Sequence, residues 1–260
     1  FETGLPKGWK FNYFQKVTTS GSNYIYIDGS FKKHTFVLAD NLSSTSAEKV
    51  YYESDGNYLI LKINTASTTQ YYEISDGNNN SLFFNSSGLL TKISTKVSSD
   101  KEYTTTLAYN DSNQLIEITD GCSNKTTISY DTNSVEITKP NGKTVTLNYD
   151  SNQCMTSIVN TDGDSTSFGY AQTNALTRAV KPNLPILTYS FLLNKITSNN
   201  KQLSLSYLSN SKVVEKFKEE YVDSSNVTHI DKSYILKYSK LRTVVECHPF
   251  TNYLRNSKST

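Results

Sequence analysis

The sequence predicts an all-β fold, with antiparallel hairpins repeated along the chain and joined into one long, curved, spiralling sheet. Three observations carry this. The first is punctuation: Asp28-Gly29, Asp55-Gly56, Asp76-Gly77, Asp120-Gly121, Asn141-Gly142 and Asp162-Gly163 mark the chain at nearly even intervals. Asx-Gly populates the φ > 0 backbone that two-residue hairpin turns demand. Gly121, Gly142 and Gly163 stand 21 residues apart, and "KPNL" (Lys181 to Leu184) follows at a similar interval, with Asn183 expected in place of glycine.

The second observation is alternation. Thr126, Ile128 and Tyr130 share one strand face, as do Val145, Leu147 and Tyr149, then Thr166, Phe168 and Tyr170, then Leu203, Leu205 and Tyr207. Outgoing strands alternate likewise at Ile116 and Ile118, and at Val135 and Ile137. The third is that no window carries a helical stripe. The charged run "VVEKFKEEY", Val213 to Tyr221, is expected as strand with a solvated face.

Each unit is therefore a strand, a tight turn, a strand ending in tyrosine and a short polar connection. Such a unit cannot stand alone. It buries about five side chains at roughly 2 kcal/mol each, whereas ordering about 21 residues costs on the order of 30 kcal/mol. Units must share a sheet and an apolar face with their neighbours, which is the logic of repeat proteins.

Composition agrees. Only 36% of the 260 residues are hydrophobic, but 19 tyrosines and 11 phenylalanines supply large buried areas instead. A net charge of +2 gives no field that would argue for nucleic acid or anionic lipid. Cys122, Cys154 and Cys247 form neither a disulfide framework nor a zinc motif, although a Cys122–Cys154 bridge is open if the strands bring the two together. No stretch approaches the about 20 apolar residues of a membrane helix, and no membrane insertion is expected. The first residue is phenylalanine, so the chain is expected to be a processed protein or a fragment.

The residues that carry chemistry elsewhere read as structural here. His34 and Phe36 share a strand face, which fits a packed histidine. Cys247 and His248 are adjacent, so an extended backbone sends them to opposite faces, and no partner completes a metal or nucleophile set. Asp28, Asp76, Asp120 and Asp162 each precede glycine and are expected to satisfy turn backbone. A glycosidase needs two carboxylates roughly 5 to 10 Å apart in a cleft, and nothing singles out such a pair. No catalytic, cofactor or metal residue is assigned. Trp9 and the pairs Tyr51-Tyr52 and Tyr71-Tyr72 are the candidates for stacking on a ligand, because one member of each pair must leave the core.

Several phrases resemble the tyrosine-aspartate (YD) repeat of the Rhs family, in which Tyr-Asp, two small residues, Gly, any residue and Leu precede a strand. In "FNSSGLLTKI", Phe84, Asn85, Gly88 and Leu90 fill those slots. In "YNDSNQL" they are Tyr109, Asn113 and Leu115, and in "YDTNSV" they are Tyr130, Asp131 and Asn133. In "YDSNQCM" they are Tyr149, Asp150, Asn152 or Gln153, and Met155. Upstream, "GLPKGWKFNYF" and "YIYIDGSFKKHTF" resemble the segment that precedes such repeats. The resemblance implies a β-rich leading region over 1–80, repeats over 81–210 marked by Phe84, Gly88, Leu90, Tyr109, Leu115, Gly121, Tyr130, Gly142, Tyr149, Gly163 and Tyr170, and further strands with a frayed end over 211–260.

It also implies a function: a non-catalytic structural or interaction segment of an exported bacterial protein, extracellular or wall-associated, serving as scaffold or as shell wall in toxin delivery. The expected partners are flanking repeats of the same polypeptide or a second copy meeting it edge to edge, since an open strip exposes strand edges. A carbohydrate-binding surface module using exposed Tyr and Trp9, with a cell-wall or surface glycan as partner, is the second reading. A polysaccharide-active enzyme is the third.

Overall fold

The computed structural model describes residues 4–6, 8–39, 48–56, 58–176, 187–208, 213–238 and 243–249. The described residues are strands and turns without helix, so the fold is all-β. The chain divides into two compact units, Phe1–Thr144 and Val145–Thr260. Asn183 lies outside the described residues.

The first unit holds β1 (Lys16–Ser20), β2 (Asn23–Ile27), β3 (Lys33–Leu38), β4 (Glu48–Glu53), β5 (Ile60–Asn64), β6 (Tyr72–Ser75), β7 (Asn80–Phe84), β8 (Leu90–Ser98), β9 (Lys101–Tyr109), β10 (Leu115–Thr119), β11 (Lys125–Tyr130) and β12 (Ser134–Thr138). Each pairs antiparallel with the next in the chain. The second unit holds β13 (Thr144–Tyr149), β14 (Met155–Val159), β15 (Ser165–Leu176), β16 (Leu187–Ser198), β17 (Lys201–Tyr207), β18 (Val214–Val222), β19 (Thr228–Tyr238) and β20 (Thr243–Pro249), again paired in chain order. The charged run around Phe217 is strand β18, as its alternation predicts.

Two-residue turns close the hairpins at 21–22, 99–100 and 199–200, but the turns at the Asx-Gly dipeptides differ from that expected type. Among the described residues a five-residue turn occurs nine times, at 28–32, 76–80, 85–89, 110–114, 120–124, 139–143, 150–154, 160–164 and 223–227. In each, the first residue's N–H donates to the fifth residue's carbonyl. The fourth residue has φ between +59° and +88°. Except at 76–80, where Gly77 also has φ +72°, this is a type I turn followed by a left-handed bulge residue. In eight of the nine the first residue is Asp or Asn, whose Oδ1 accepts the N–H groups of the third and fifth residues. Five of the six Asx-Gly dipeptides therefore fall in these turns, in two different slots, and Asp55-Gly56 lies outside them. Asp28, Asp76 and Asp120 open their loops with glycine second, whereas Gly142 and Gly163 hold the left-handed fourth place. Gly121 does not have positive φ, contrary to expectation, and Ser123 takes that conformation for its loop. In the loop at 160–164 the accepting side chain is Asn160, and Asp162 is the middle residue that donates to it.

The Tyr-x-x-x-x-x-Leu spacing follows from this loop. It places an aromatic residue and an aliphatic one opposite each other across the turn, at Phe84↔Leu90, Tyr109↔Leu115 and Tyr149↔Met155. A shorter four-residue turn does the same for Tyr130↔Val135. Leu90, Leu115, Val135 and Met155 are completely buried. The repeat phrase is thus a cross-strand packing pair closed by a side-chain-capped turn.

In the first unit the sheet curls onto its own face. Tyr24 of β2 meets Tyr51 of β4 at 4.9 Å and Tyr72 of β6 at 5.7 Å, and Tyr26 meets Phe84 of β7 at 5.8 Å. None of those strands is a ladder neighbour of β2. The curl brings β1 against the 85–89 turn, where the Val17 N–H donates to the Gly88 carbonyl at 2.9 Å and Lys16 bridges Leu89. The first edge, expected to be open, is covered at that point. Tyr51 and Tyr72 are 6% and 7% exposed and belong to this core, which removes them as stacking candidates, while Tyr52 faces out.

Burial gives the inner tyrosines a pH dependence. It pushes the Tyr24 hydroxyl up to about 12, with neighbouring tyrosines adding to the effect, and burial likewise pushes Tyr130 up to about 12. An unfolded tyrosine ionises near pH 10. Their contribution to stability is therefore whole below pH 10 and is lost as pH rises from about 10 to about 12. The denaturant midpoint is expected to fall between pH 8 and pH 11, and an unchanged midpoint would show that these rings are wet.

Candidate functional site

Three arrangements use polar side chains in a patterned way. The first is a set of tyrosine hydroxyls. Tyr109 pairs forward with Leu115 of the next hairpin while its hydroxyl reaches back to the Leu90 carbonyl at 2.8 Å. Tyr130 pairs forward with Val135 and donates back to the Leu115 carbonyl at 2.9 Å. Tyr207 pairs with Val214 and donates to Leu193, and Tyr238 pairs with Thr243 and donates to Val214 at 2.5 Å. One residue so ties the hairpin before to the hairpin after. Burial raises the Tyr109 and Tyr207 hydroxyls, keeping them as donors. Tyr109→Phe removes the donor and orphans the Leu90 carbonyl, and is expected to cost about 1 kcal/mol. A thermal melt of Tyr109→Phe beside exposed Tyr58→Phe checks it, since only the former should shift.

The second arrangement surrounds His34, which β3 turns inward beside Phe36. Its Nδ1 lies 2.5 Å from Glu53 Oε1 and its Nε2 lies 3.4 Å from Asp28 Oδ2. The Glu53 side chain is wholly inaccessible. The Tyr26 ring stacks on the imidazole at 5.4 Å, and its hydroxyl donates to Gln15 Oε1. Partial burial of Asp28 opposes ionisation, but hydrogen bonds from the Ser30 and Lys32 amides and from His34 outweigh it and hold the carboxyl below its usual range. The cluster joins the 28–32 turn, β3 and β4 through side-chain contacts, with Glu53 and His34 buried and Asp28 at its partly exposed end.

The third is a groove of about 630 Å³ in the second unit. Ile196 of β16 and its cross-strand partner Leu203 of β17 line it with apolar surface, and Tyr221 and Glu219 of β18 form a wall. A bulge between Glu219 and Glu220 sets Asp231 of β19 without a register partner at the groove. Tyr221 stacks on His229 at 4.9 Å and 17°. The sequence drew no attention to Tyr221, His229 or Asp223. The only signal available was the Asp223-to-Val227 turn spacing, which places His229 two residues past its end.

Trp9 is 37% exposed and Tyr71 is half-buried against Tyr72. Cys122 is exposed in the 120–124 turn and Cys154 is buried at the end of the 150–154 turn, and no disulfide joins them. Cys247 and His248 stand opposite Tyr234 and Ser233. Among the described residues no three His, Cys, Asp or Glu converge as a metal set, and no helix is long and apolar enough to cross a membrane.

No protein-family model matches the chain, and no curated protein matches it. Among solved structures it is similar to the crystal structure of TcdB2-TccC3-Cdc42, with TM-score 0.40 and 12% identity over 89% of this chain and 14% of that one. It is similar to the N-terminal domain of effector protein SpvB from Salmonella typhimurium strain LT2, with TM-score 0.35 and 9% identity over 83% of this chain and 98% of that one. A porin-like protein from Bacteroides uniformis ATCC 8492 follows, with TM-score 0.24 and 11% identity over 93% and 96% of the respective chains. The chain spans 14% of the first of these, and the YD-repeat resemblance rests on its own residues.

Proposed function

We propose that this chain is a non-catalytic structural and interaction segment of an exported bacterial Rhs/YD-repeat protein, part of a scaffold or shell wall at the cell surface or in toxin delivery. The observation that carries the reading is the tyrosine tie between successive hairpins. It is a device for extending a sheet by equivalent units, and it recurs in both units of this chain.

The second unit supports the same reading from the side of burial. Past Met155 no described hydrophobic side chain is fully buried, and Leu203, Leu205, Phe217 and Tyr234 remain half-exposed. Strands of this kind gain cover from neighbouring repeats. The partner is therefore flanking sequence of the same polypeptide, or a second copy at a strand edge, in an extracellular or wall-associated setting.

Amide hydrogen exchange tests this. In the chain alone, amides of β17 to β20 should exchange much faster than those of β8 to β12, and they should slow when native flanking sequence is restored. A monodisperse monomer with equal protection in both groups would overturn the reading.

A further inference from the structure

We propose that the end of the first unit carrying Phe31, Trp9 and Lys10 is a peripheral membrane-contact surface, which seats on an anionic phospholipid bilayer without crossing it. This goes beyond the scaffold reading and does not depend on it.

In eight of the nine five-residue turns the left-handed fourth residue is Gly, Asn, Ser or Gln. In the turn at 28–32 it is Phe31, at φ +67°. A bulky residue in that conformation costs about 1–2 kcal/mol. Core burial does not repay the cost, because the side chain is 57% exposed. The Lys10 ammonium lies 3.5 Å from the ring centroid and donates to the Asp28 carbonyl at 2.9 Å, which fixes the ring to its own turn. Gly29 comes so close to the same leading segment that an added Cβ would stand 2.7 Å from the Asn12 carbonyl oxygen. The stretch carrying Trp9 and the turn carrying Phe31 are therefore packed together, and Trp9 is exposed next to Lys10 in the chain. An aromatic ring kept in a costly conformation and turned to solvent marks a position where function outweighs stability.

Charge chooses the partner. The whole chain carries only +2, but residues 8–36 hold Lys10, Lys16, Lys32 and Lys33 against Asp28 alone. Asp28 is engaged by the Ser30 and Lys32 amides and by His34. Lys32 and Lys33 directly follow Phe31 and are exposed. On the neighbouring strand Glu53 is inaccessible, and beyond it Asp55 is an exposed carboxylate, which leaves the balance positive. Each lysine near an anionic bilayer contributes about 1 kcal/mol. The rings stand at a hairpin turn, and a headgroup layer accepts aromatic rings there without a matching shape. A folded protein partner would need a complementary surface of about 800 Å² around them. Two exposed rings among lysines fit the bilayer better.

The test is flotation of the whole chain with vesicles of phosphatidylglycerol and phosphatidylcholine in equal parts, beside vesicles of phosphatidylcholine alone. The protein should float with the first and stay behind with the second. Raising salt from about 0.05 to about 0.5 M should cut the bound fraction several-fold. Trp9 emission should shift to the blue on binding, as the indole leaves water. Phe31→Asn places at this turn the residue that holds the same slot at Asn79, Asn113 and Asn226. It should weaken vesicle binding about tenfold without lowering the urea midpoint, because left-handed strain is relieved. Failure to float with either vesicle, binding that ignores salt or Phe31→Asn, or unmoved Trp9 emission would each overturn the proposal. So would a lowered urea midpoint, which would make Phe31 a structural residue. Binding of polyglutamate in place of vesicles would put an acidic protein at this end and overturn it as well. None of these results bears on the hydrogen exchange of β17 to β20.

Discussion

Gly88→Ala is expected to destabilise the first unit by about 4 kcal/mol, at the top of the usual range for single substitutions. Two costs add. At φ +77° a side chain carries the left-handed penalty of about 1–2 kcal/mol. The new Cβ would also stand 1.9 Å from the Val17 carbonyl oxygen and 3.0 Å from its carbon. Those atoms are backbone of β1 and cannot rotate away. Strand β1 must leave, breaking the Val17–Gly88 hydrogen bond and the Lys16–Leu89 bridge and uncovering Phe14, Val17 and Leu89. Gly142 and Gly163 provide controls, since they have φ +78° and +88° with nothing within 4 Å of an added Cβ. Alanine at either should cost only the backbone term. Trp9, the sole tryptophan, reports the unfolding of the first unit by fluorescence in urea. If Gly88→Ala costs no more than Gly142→Ala, β1 is not seated on that turn.

Glu53→Ala is expected to cost about 2 kcal/mol, because it leaves the buried His34 Nδ1 without its hydrogen-bond partner. Glu53 is inaccessible and its carboxylate touches His34 at 2.5 Å. His34→Ala should cost a similar amount, since it strips both Glu53 and Asp28 of their shared partner. The double variant should then cost at least about 1 kcal/mol less than the sum, the signature of groups that act as a unit. Additive costs would mean that the two side chains serve the core separately.

Both effects turn on contacts that sequence reasoning did not reach. Alternation put His34 on the same face as Phe36 but could not name Glu53, which lies 19 positions away on another strand. The adjacency of Tyr51 and Tyr52 required one to face out, yet which one did depended on the curl that set Tyr51 against Tyr24. Asn113 was readable as a left-handed residue because asparagine tolerates that backbone. Phe31, Ser123 and Gln153 were not, because loop closure imposed the conformation against their preference.

Strand periodicity, the aromatic-to-aliphatic spacing across each turn and the Asp or Asn that opens it are short-range properties. They depend on backbone geometry over five or six residues, and they were written in the chain. The seating of β1 on Gly88, the buried Glu53–His34 pair and the propping of Tyr221 by His229 depend on how far each sheet bends and where a bulge falls. Those are settled only when many weak face-to-face contacts are satisfied together, because no local segment carries enough burial energy to choose among them.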